Sequence, residues 1–83
     1  MNSKELVTVN VLAFGPIAEQ LGGRNTSVSV EKGTSVEALV KHLELASWLE
    51  FGLSVSINGH RVPVDTPLEG GEEVALLPPV SGG

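Results

Sequence analysis

The apolar positions along the 83-residue chain alternate in short runs that are typical of β-strands. Residues 6–14 (LVTVNVLAF) carry apolar side chains on both faces, which predicts a strand in the interior of a sheet. Residues 26–31 (TSVSVE) alternate strictly, with Val28 and Val30 facing inward, as expected of an outer strand. The closing run, 74–78 (VALLP), is again strongly apolar, so we expect it to lie beside the first strand.

The main helix is predicted over residues 32–43, where apolar side chains recur at helical spacing: Val36, Leu39, Val40 and Leu43. Thr34 and Glu37 have the spacing of a capping box, which places the start of the helix at Thr34. A shorter helix is predicted within residues 15–23, because Pro16 suits a first turn and two glycines end the segment.

The segment between the main helix and the last strand contains a hairpin. Asn58-Gly59 is a strong turn signal within residues 53–64, and Pro63 limits the second arm to a short or edge strand. Residues 65–73 have the composition of turns. Residues 44–52 either extend the helix or form an ordered loop that packs through Trp48, Leu49 and Phe51.

This order of elements predicts an α+β fold of the β-grasp, or ubiquitin-like, type. A mixed sheet of about five strands would have its first and last strands side by side at the centre, with one main helix covering one face. We expect a single domain over residues 1–78 and a flexible tail over residues 79–83.

Composition narrows the function classes. Ten acidic and five basic residues give a net charge of -5, which argues against a nucleic-acid-binding surface. The absence of cysteine excludes disulfides and thiol chemistry and favours a cytoplasmic location. The sequence shows no signal peptide and no apolar run long enough to span a membrane.

Candidate catalytic chemistry within the predicted domain is weak. His42 and His60 have neither cysteine nor a tight carboxylate cluster beside them, and Arg61 is typical of a solvated edge charge. The spacing of residues suggests no nucleophile with a nearby base and no phosphate-binding loop. We therefore expect no active site of the chain's own, no metal and no permanently bound cofactor.

The last residues, LLPPVSGG (76–83), are a stronger candidate for a functional site than any residue within the predicted domain. Two prolines would hold the start of the tail extended, and the residues from Pro79 through Val80, Ser81 and Gly82 to Gly83 would reach roughly 17 Å. Two glycines could enter a narrow tunnel and deliver a carboxylate to another protein's active site. Once activated, that carboxylate could accept sulfur as a thiocarboxylate or be joined to an amine; a frayed or truncated end is the alternative.

Strand alternation also predicts a docking surface near the tail. Leu76 and Leu77 point to opposite faces, so one of them faces the core. We predict that Leu77 is exposed near Phe14 and that this apolar patch binds a partner, with Arg61 as a further contact. A plain core role for both leucines is the alternative.

The ending VALLPPVSGG (74–83), the preceding PLEGGEE (67–73) and the segment VLAFGPIAEQLGG (11–23) resemble the small, sulfur-carrier subunits of molybdopterin synthase. The likeness covers essentially the whole chain. One departure is Ala18, which stands where this family commonly has an arginine.

The resemblance implies a route for sulfur. A ubiquitin-activating-type adenylyltransferase would use ATP to adenylate Gly83, and a sulfurtransferase step would then form the thiocarboxylate. The tail would insert into the large catalytic subunit, and the sulfur would pass to a cyclic pyranopterin precursor to build the dithiolene of molybdopterin. The expected assembly is a heterotetramer, with one small subunit at each end of a large-subunit dimer.

Three other functions fit the same sequence: a sulfur carrier for thiamine or another pathway, a ubiquitin-like protein modifier, and a β-grasp interaction domain whose tail has no role. Carriers for thiamine synthesis share the Gly-Gly ending but usually lack Pro-Pro, which favours molybdopterin synthesis.

Overall fold

The computed structural model describes residues 5–79. Five strands and three short helices follow one another along the chain: β1 (Leu6–Ala13), α1 (Pro16–Leu21), β2 (Asn25–Glu31), α2 (Val36–His42), α3 (Ala46–Glu50), β3 (Ser54–Ile57), β4 (His60–Val62) and β5 (Glu73–Leu77). The strands form one sheet in the order β2-β1-β5-β3-β4. Strands β1 and β5 pair in parallel, while the other neighbours are antiparallel. This arrangement confirms the β-grasp prediction, including the central pairing of the first and last strands.

The core lies between one face of the sheet and the helices. Each strand sends alternate side chains to that face, which is why the alternation in the sequence predicted the strands correctly. Fourteen side chains make up the buried apolar cluster: Val9, Val11, Ala13, Ile17, Val28, Val30, Val36, Leu39, Val40, Leu45, Val55, Leu68, Val74 and Leu76. Burying one valine or leucine side chain contributes about 1.5–3 kcal/mol, so this cluster is the main stabilising feature of the fold.

The hairpin confirms the turn prediction. Asn58 and Gly59 both have positive φ, at 50° and 87°, as a tight two-residue turn requires. The second arm, β4, is three residues long and lies at the edge of the sheet, just before Pro63.

The predicted capping box is wrong. The N-cap of α2 is Ser35, whose Oγ accepts the N–H of Ala38 at 3.1 Å. Thr34 instead donates its hydroxyl to the carbonyl of Glu31, and Glu37 forms an ion pair with Lys41 at 3.1 Å.

Hydrogen bonds from α2 to the loop before β5 explain why the capping box does not form. The N–H groups of Val36 and Glu37 donate to the carbonyls of Thr66 and Val64, at 2.9 and 2.7 Å. A tertiary contact thus satisfies the first N–H groups of α2, and the reciprocal capping by Glu37 is not needed.

The ambiguous segment 44–52 is neither a continuation of α2 nor a plain loop, because it contains the separate helix α3. Trp48 and Leu49 are half-buried against the core, as predicted. Phe51, which the ordered-loop alternative also expected to pack, is 65% exposed. Its ring and that of Trp48 form a T-shaped pair, with centroids 6.0 Å apart and planes at 83°.

Candidate functional site

The C-terminal end of β5 is the candidate site, because there the last central strand leads into the predicted tail. Of the predicted tail, Pro79 is within the described residues and is exposed. Val80, Ser81, Gly82 and Gly83 lie outside them. The site can therefore be described at its base, which we call the tail root and define as Pro78 and Pro79.

Alternation along β5 determines what surrounds the tail root. Leu76 points into the core and is fully buried, whereas Leu77 is 36% exposed on the other face. Ala13 of β1 pairs with Leu76, and continuing this parallel register places Phe14 beside Leu77. Phe14 is 40% exposed. The structure thus leaves Leu77, and not Leu76, at the surface, as predicted.

The uncovered face of the sheet becomes apolar towards the tail root. Away from the root it carries small polar side chains of β1 and β2, among them Thr8, Ser27 and Ser29. Beside the root it carries Leu77 and Phe14. Leu6, also exposed, lies at the far end of the same face, so Leu77 and Phe14 are distinguished by their position beside the root. An exposed apolar patch is typical of a protein–protein contact.

Arg61 lies on the same face but further from the tail root. It pairs with Ser56, which in turn pairs with Ala75 of β5. Two strand spacings, about 10 Å, therefore separate Arg61 from β5. Leu77 and Phe14 each follow the last residue paired between β5 and β1, whereas Arg61 lies on the edge strand. The roles of all three residues as partner contacts stay predictions.

Two glycines lie against the tail root. A Cβ built on Gly15 would lie 3.9 Å from Cγ of Pro78, and one built on Gly52 would lie 3.8 Å from Cβ of Pro79. Both glycines have positive φ, at 58° and 97°. Only glycine adopts such angles at little cost, so both turns beside the root depend on it. Gly52 was not predicted to lie at this site, because its contact with Pro79 depends on how α3 lies beside β5, which no local sequence pattern encodes.

The rest of the described chain adds no competing centre. Among residues 5–79, no group of three or more histidine, aspartate or glutamate side chains is arranged to hold a metal ion. Over the same range, no helix is both long and apolar enough to cross a membrane. His42 lines a shallow groove between β2 and α2, together with Leu6 and Ala38, whereas His60 lies at the start of β4.

Fold and tail root together define a class: a small β-grasp protein whose central C-terminal strand leads directly into a proline-rooted extension beside an apolar patch. A model of the ThiS family matches residues 11–83. The chain belongs to the ThiS family.

Similarity to a named relative specifies the kind of family member more precisely. The chain is 41% identical over 81 residues to the molybdopterin synthase sulfur carrier subunit of Escherichia coli (strain K12), covering 90% of this chain and 99% of that protein. This confirms the family predicted from the tail and its flanking segments.

Solved structures also match the fold of this chain. Subunits 1 and 2 of molybdopterin-converting factor from Helicobacter pylori form a protein–protein complex, in which the matching chain is 30% identical with a TM-score of 0.61, covering 93% of this chain and all (100%) of that chain. SAMP1 from Haloferax volcanii is 28% identical with a TM-score of 0.72, covering 92% of this chain and 99% of that one.

Proposed function

We propose that this chain is the sulfur carrier subunit of a molybdopterin synthase, acting in molybdenum cofactor biosynthesis, and that it carries sulfur as a thiocarboxylate on Gly83. The observation that supports this most is the position of the tail root, at the end of a central strand and beside the exposed apolar side chains Phe14 and Leu77. The family match extends through Gly83, so the predicted tail is part of what the relatives share.

The chemistry follows from the carboxylate. The Gly83 carboxylate would attack ATP in a ubiquitin-activating-type adenylyltransferase, forming an acyl-adenylate and releasing pyrophosphate. A sulfurtransferase would supply sulfur at the oxidation level of sulfide, which displaces AMP and leaves a thiocarboxylate. Since the chain has no cysteine, its C-terminus is the only position that could hold transferable sulfur in this way.

The second half of the cycle takes place in the large catalytic subunit. There the sulfur of the thiocarboxylate would form a bond to a carbon of the cyclic pyranopterin precursor as an oxygen substituent leaves that carbon, and hydrolysis of the acyl–sulfur bond would restore the carboxylate. Two such transfers complete one dithiolene. This chain would be a donor and not a catalyst, and the rigid strand β5 would hold the tail in place while the partner's residues perform the chemistry.

The apolar patch of Phe14 and Leu77 would dock the large subunit. Buried aromatic side chains near the centre of a contact supply much of its binding free energy, and the apolar neighbours around them exclude water. Arg61, two strands away on the same face, would lie at the rim of this contact, where charges affect the association rate more than the affinity.

The direct test is the intact mass of the purified chain, with fragmentation of its C-terminus, after incubation with ATP, the adenylyltransferase and a sulfur donor. We expect one oxygen of Gly83 to be replaced by sulfur, and expect the charged chain to produce molybdopterin with the large subunit and precursor. A chain lacking Gly83 should fold normally and do neither. A chain that stays entirely as carboxylate under these conditions would contradict the proposal.

The alternatives give different results in cells. A sulfur carrier for thiamine synthesis would rescue a thiamine auxotroph and not a molybdoenzyme. A protein modifier would appear in high-mass conjugates with target lysines. The 41% identity to a molybdopterin synthase subunit favours the rescue of a molybdoenzyme.

A further inference from the structure

The tail root lies between two copies of the same small motif. Phe14-Gly15 follows β1, and Phe51-Gly52 follows α3. In each copy the glycine has positive φ and lies against one proline of the root, Gly15 against Pro78 and Gly52 against Pro79. In each copy the phenylalanine that precedes the glycine is exposed.

The two phenylalanines belong to different layers of the protein. Phe14 continues β1 onto the open face of the sheet, because its neighbour Ala13 faces the core. Phe51 is the C-cap residue of α3, which lies in the helical layer. The tail root is therefore flanked by an exposed aromatic ring from each layer.

Phe51 is not explained by the packing of the fold. It contacts the half-buried Trp48 edge-on, yet 65% of the residue remains exposed. Burial of a phenylalanine side chain stabilises a protein, and the isolated chain gains little of this stabilisation because Phe51 is mostly exposed. Trp48 is held in turn by α1, since its indole N–H donates to Oε1 of Gln20 at 2.6 Å.

We propose that Phe51 is a second docking contact for the large subunit of molybdopterin synthase, on the helical side of the tail root. This inference rests on the proposed function. A partner that encloses the tail as far as Gly83 must surround its base, and the base is bordered by Gly15 on one side and Gly52 on the other. The contact through Phe14 and Leu77 therefore continues around the root to Phe51, and Trp48 supports the ring from behind.

The test measures the affinity of the full chain for the purified large subunit by calorimetry. We expect Phe51→Ala to weaken binding about tenfold or more, as truncation of a central aromatic contact does. Leu6→Ala is the matched control, because Leu6 is 68% exposed and lies at the opposite end of β1 from Phe14. It should change the affinity less than about twofold. Melting curves of both variants check that each remains folded.

A second measurement avoids mutation. Trp48 is the one tryptophan of the chain, so 5-fluorotryptophan incorporation gives a single fluorine resonance next to Phe51. Adding unlabelled large subunit should shift this resonance. An unchanged resonance under saturating partner would overturn the inference.

The remaining outcomes separate the two proposals. If the wild-type chain neither binds the large subunit nor supplies it with sulfur, the proposed function itself fails. If the wild type binds and Phe14→Ala weakens binding, but Phe51→Ala behaves like Leu6→Ala, only the second contact is refuted. If Phe51→Ala raises the KM for adenylation and leaves large-subunit binding intact, the assignment of the partner is wrong.

Discussion

The two ends of β5 differ in their surroundings: internal hydrogen bonds hold one end, whereas apolar side chains are exposed at the other. At the N-terminal end, the carboxylate of Glu72 accepts the N–H groups of Glu69 and Gly70, both at 2.7 Å. The side chain of Asn58 accepts the N–H of Glu73 at 3.0 Å, and the N–H of Gly71 donates to Thr8 at 2.7 Å. At the C-terminal end, three apolar side chains remain exposed: Phe14, Phe51 and Leu77.

This difference indicates that hydrogen bonds fix β5 at one end and that its other end is available to bind a partner. The N-terminal end of β5 and the loop before it, residues 69–73, which we call the closed end, are held by internal hydrogen bonds. The C-terminal end of β5, which we call the open end, exposes the apolar side chains of Phe14, Phe51 and Leu77 to water. This exposure is unfavourable for the isolated chain, but the apolar surface is available for binding. Since one strand connects the two ends, the closed end fixes the position from which the tail starts.

The largest expected effect compares Leu76 with Leu77, two neighbours on opposite faces of the open end. Leu76→Ala should lower the free energy of unfolding by about 2–5 kcal/mol, because it leaves a cavity in the core. Leu77→Ala should cost about 1 kcal/mol but weaken binding to the large subunit. Denaturant unfolding and calorimetry measure the two quantities separately. Equal losses of stability in both variants would contradict the assignment of Leu76 to the core and Leu77 to the surface.

At the closed end, the largest effect is expected at Gly70. Its φ is 116°, and an added Cβ would lie 2.9 Å from Cβ of Val7 on β1. Gly70→Ala should therefore destabilise the protein by about 2–3 kcal/mol, from backbone strain and the clash together. Gly71→Ala is the control, because φ is also positive there but nothing lies within 4 Å. It should cost about 1 kcal/mol. Unfolding curves that rank Gly71→Ala as the more harmful change would contradict this.

A smaller, pH-dependent effect is expected at Glu72. Its partial burial raises the pKa, but hydrogen bonds from the backbone N–H groups of Glu69, Gly70 and Glu72 outweigh this and lower the pKa below its ordinary value. A lowered folded-state pKa contributes stability above the unfolded-state pKa, which is lost as the pH falls through the folded-state value.

Glu72→Gln should therefore cost about 1 kcal/mol at neutral pH. The difference from wild type should shrink over the range from neutral pH to below the ordinary glutamate pKa, as wild-type Glu72 becomes protonated. Urea unfolding across this range measures both chains, and Glu69→Gln, whose side chain makes none of these bonds, is the control. A difference that stays constant with pH would show that the carboxylate charge does not hold the loop.

Sequence reasoning succeeded where the determinant was local and failed where it was tertiary. Strand alternation determined that Leu76 and Leu77 face opposite ways, and Asn58-Gly59 specified its own turn. The capping box at Thr34 failed because the distant carbonyls of Val64 and Thr66 satisfy the first N–H groups of α2. The exposure of Phe51 and the contact of Gly52 with Pro79 depend on how α3 lies beside β5, which no local pattern encodes.

The smallest expected effect concerns the hydrogen bond that supports the helical side of the open end. Gln20→Ala removes the acceptor of the Trp48 indole N–H, which should cost about 0.5–1 kcal/mol. Gln20→Glu keeps an acceptor at this position and should retain most of that stability. Because Trp48 is the one tryptophan in the chain, its emission reports the change directly, and we expect a shift to longer wavelength in Gln20→Ala alone. If the indole is instead held by its packing on Phe51 and the core, both variants will match the wild type, and the open end will be as firmly fixed on its helical side as the closed end is by Glu72.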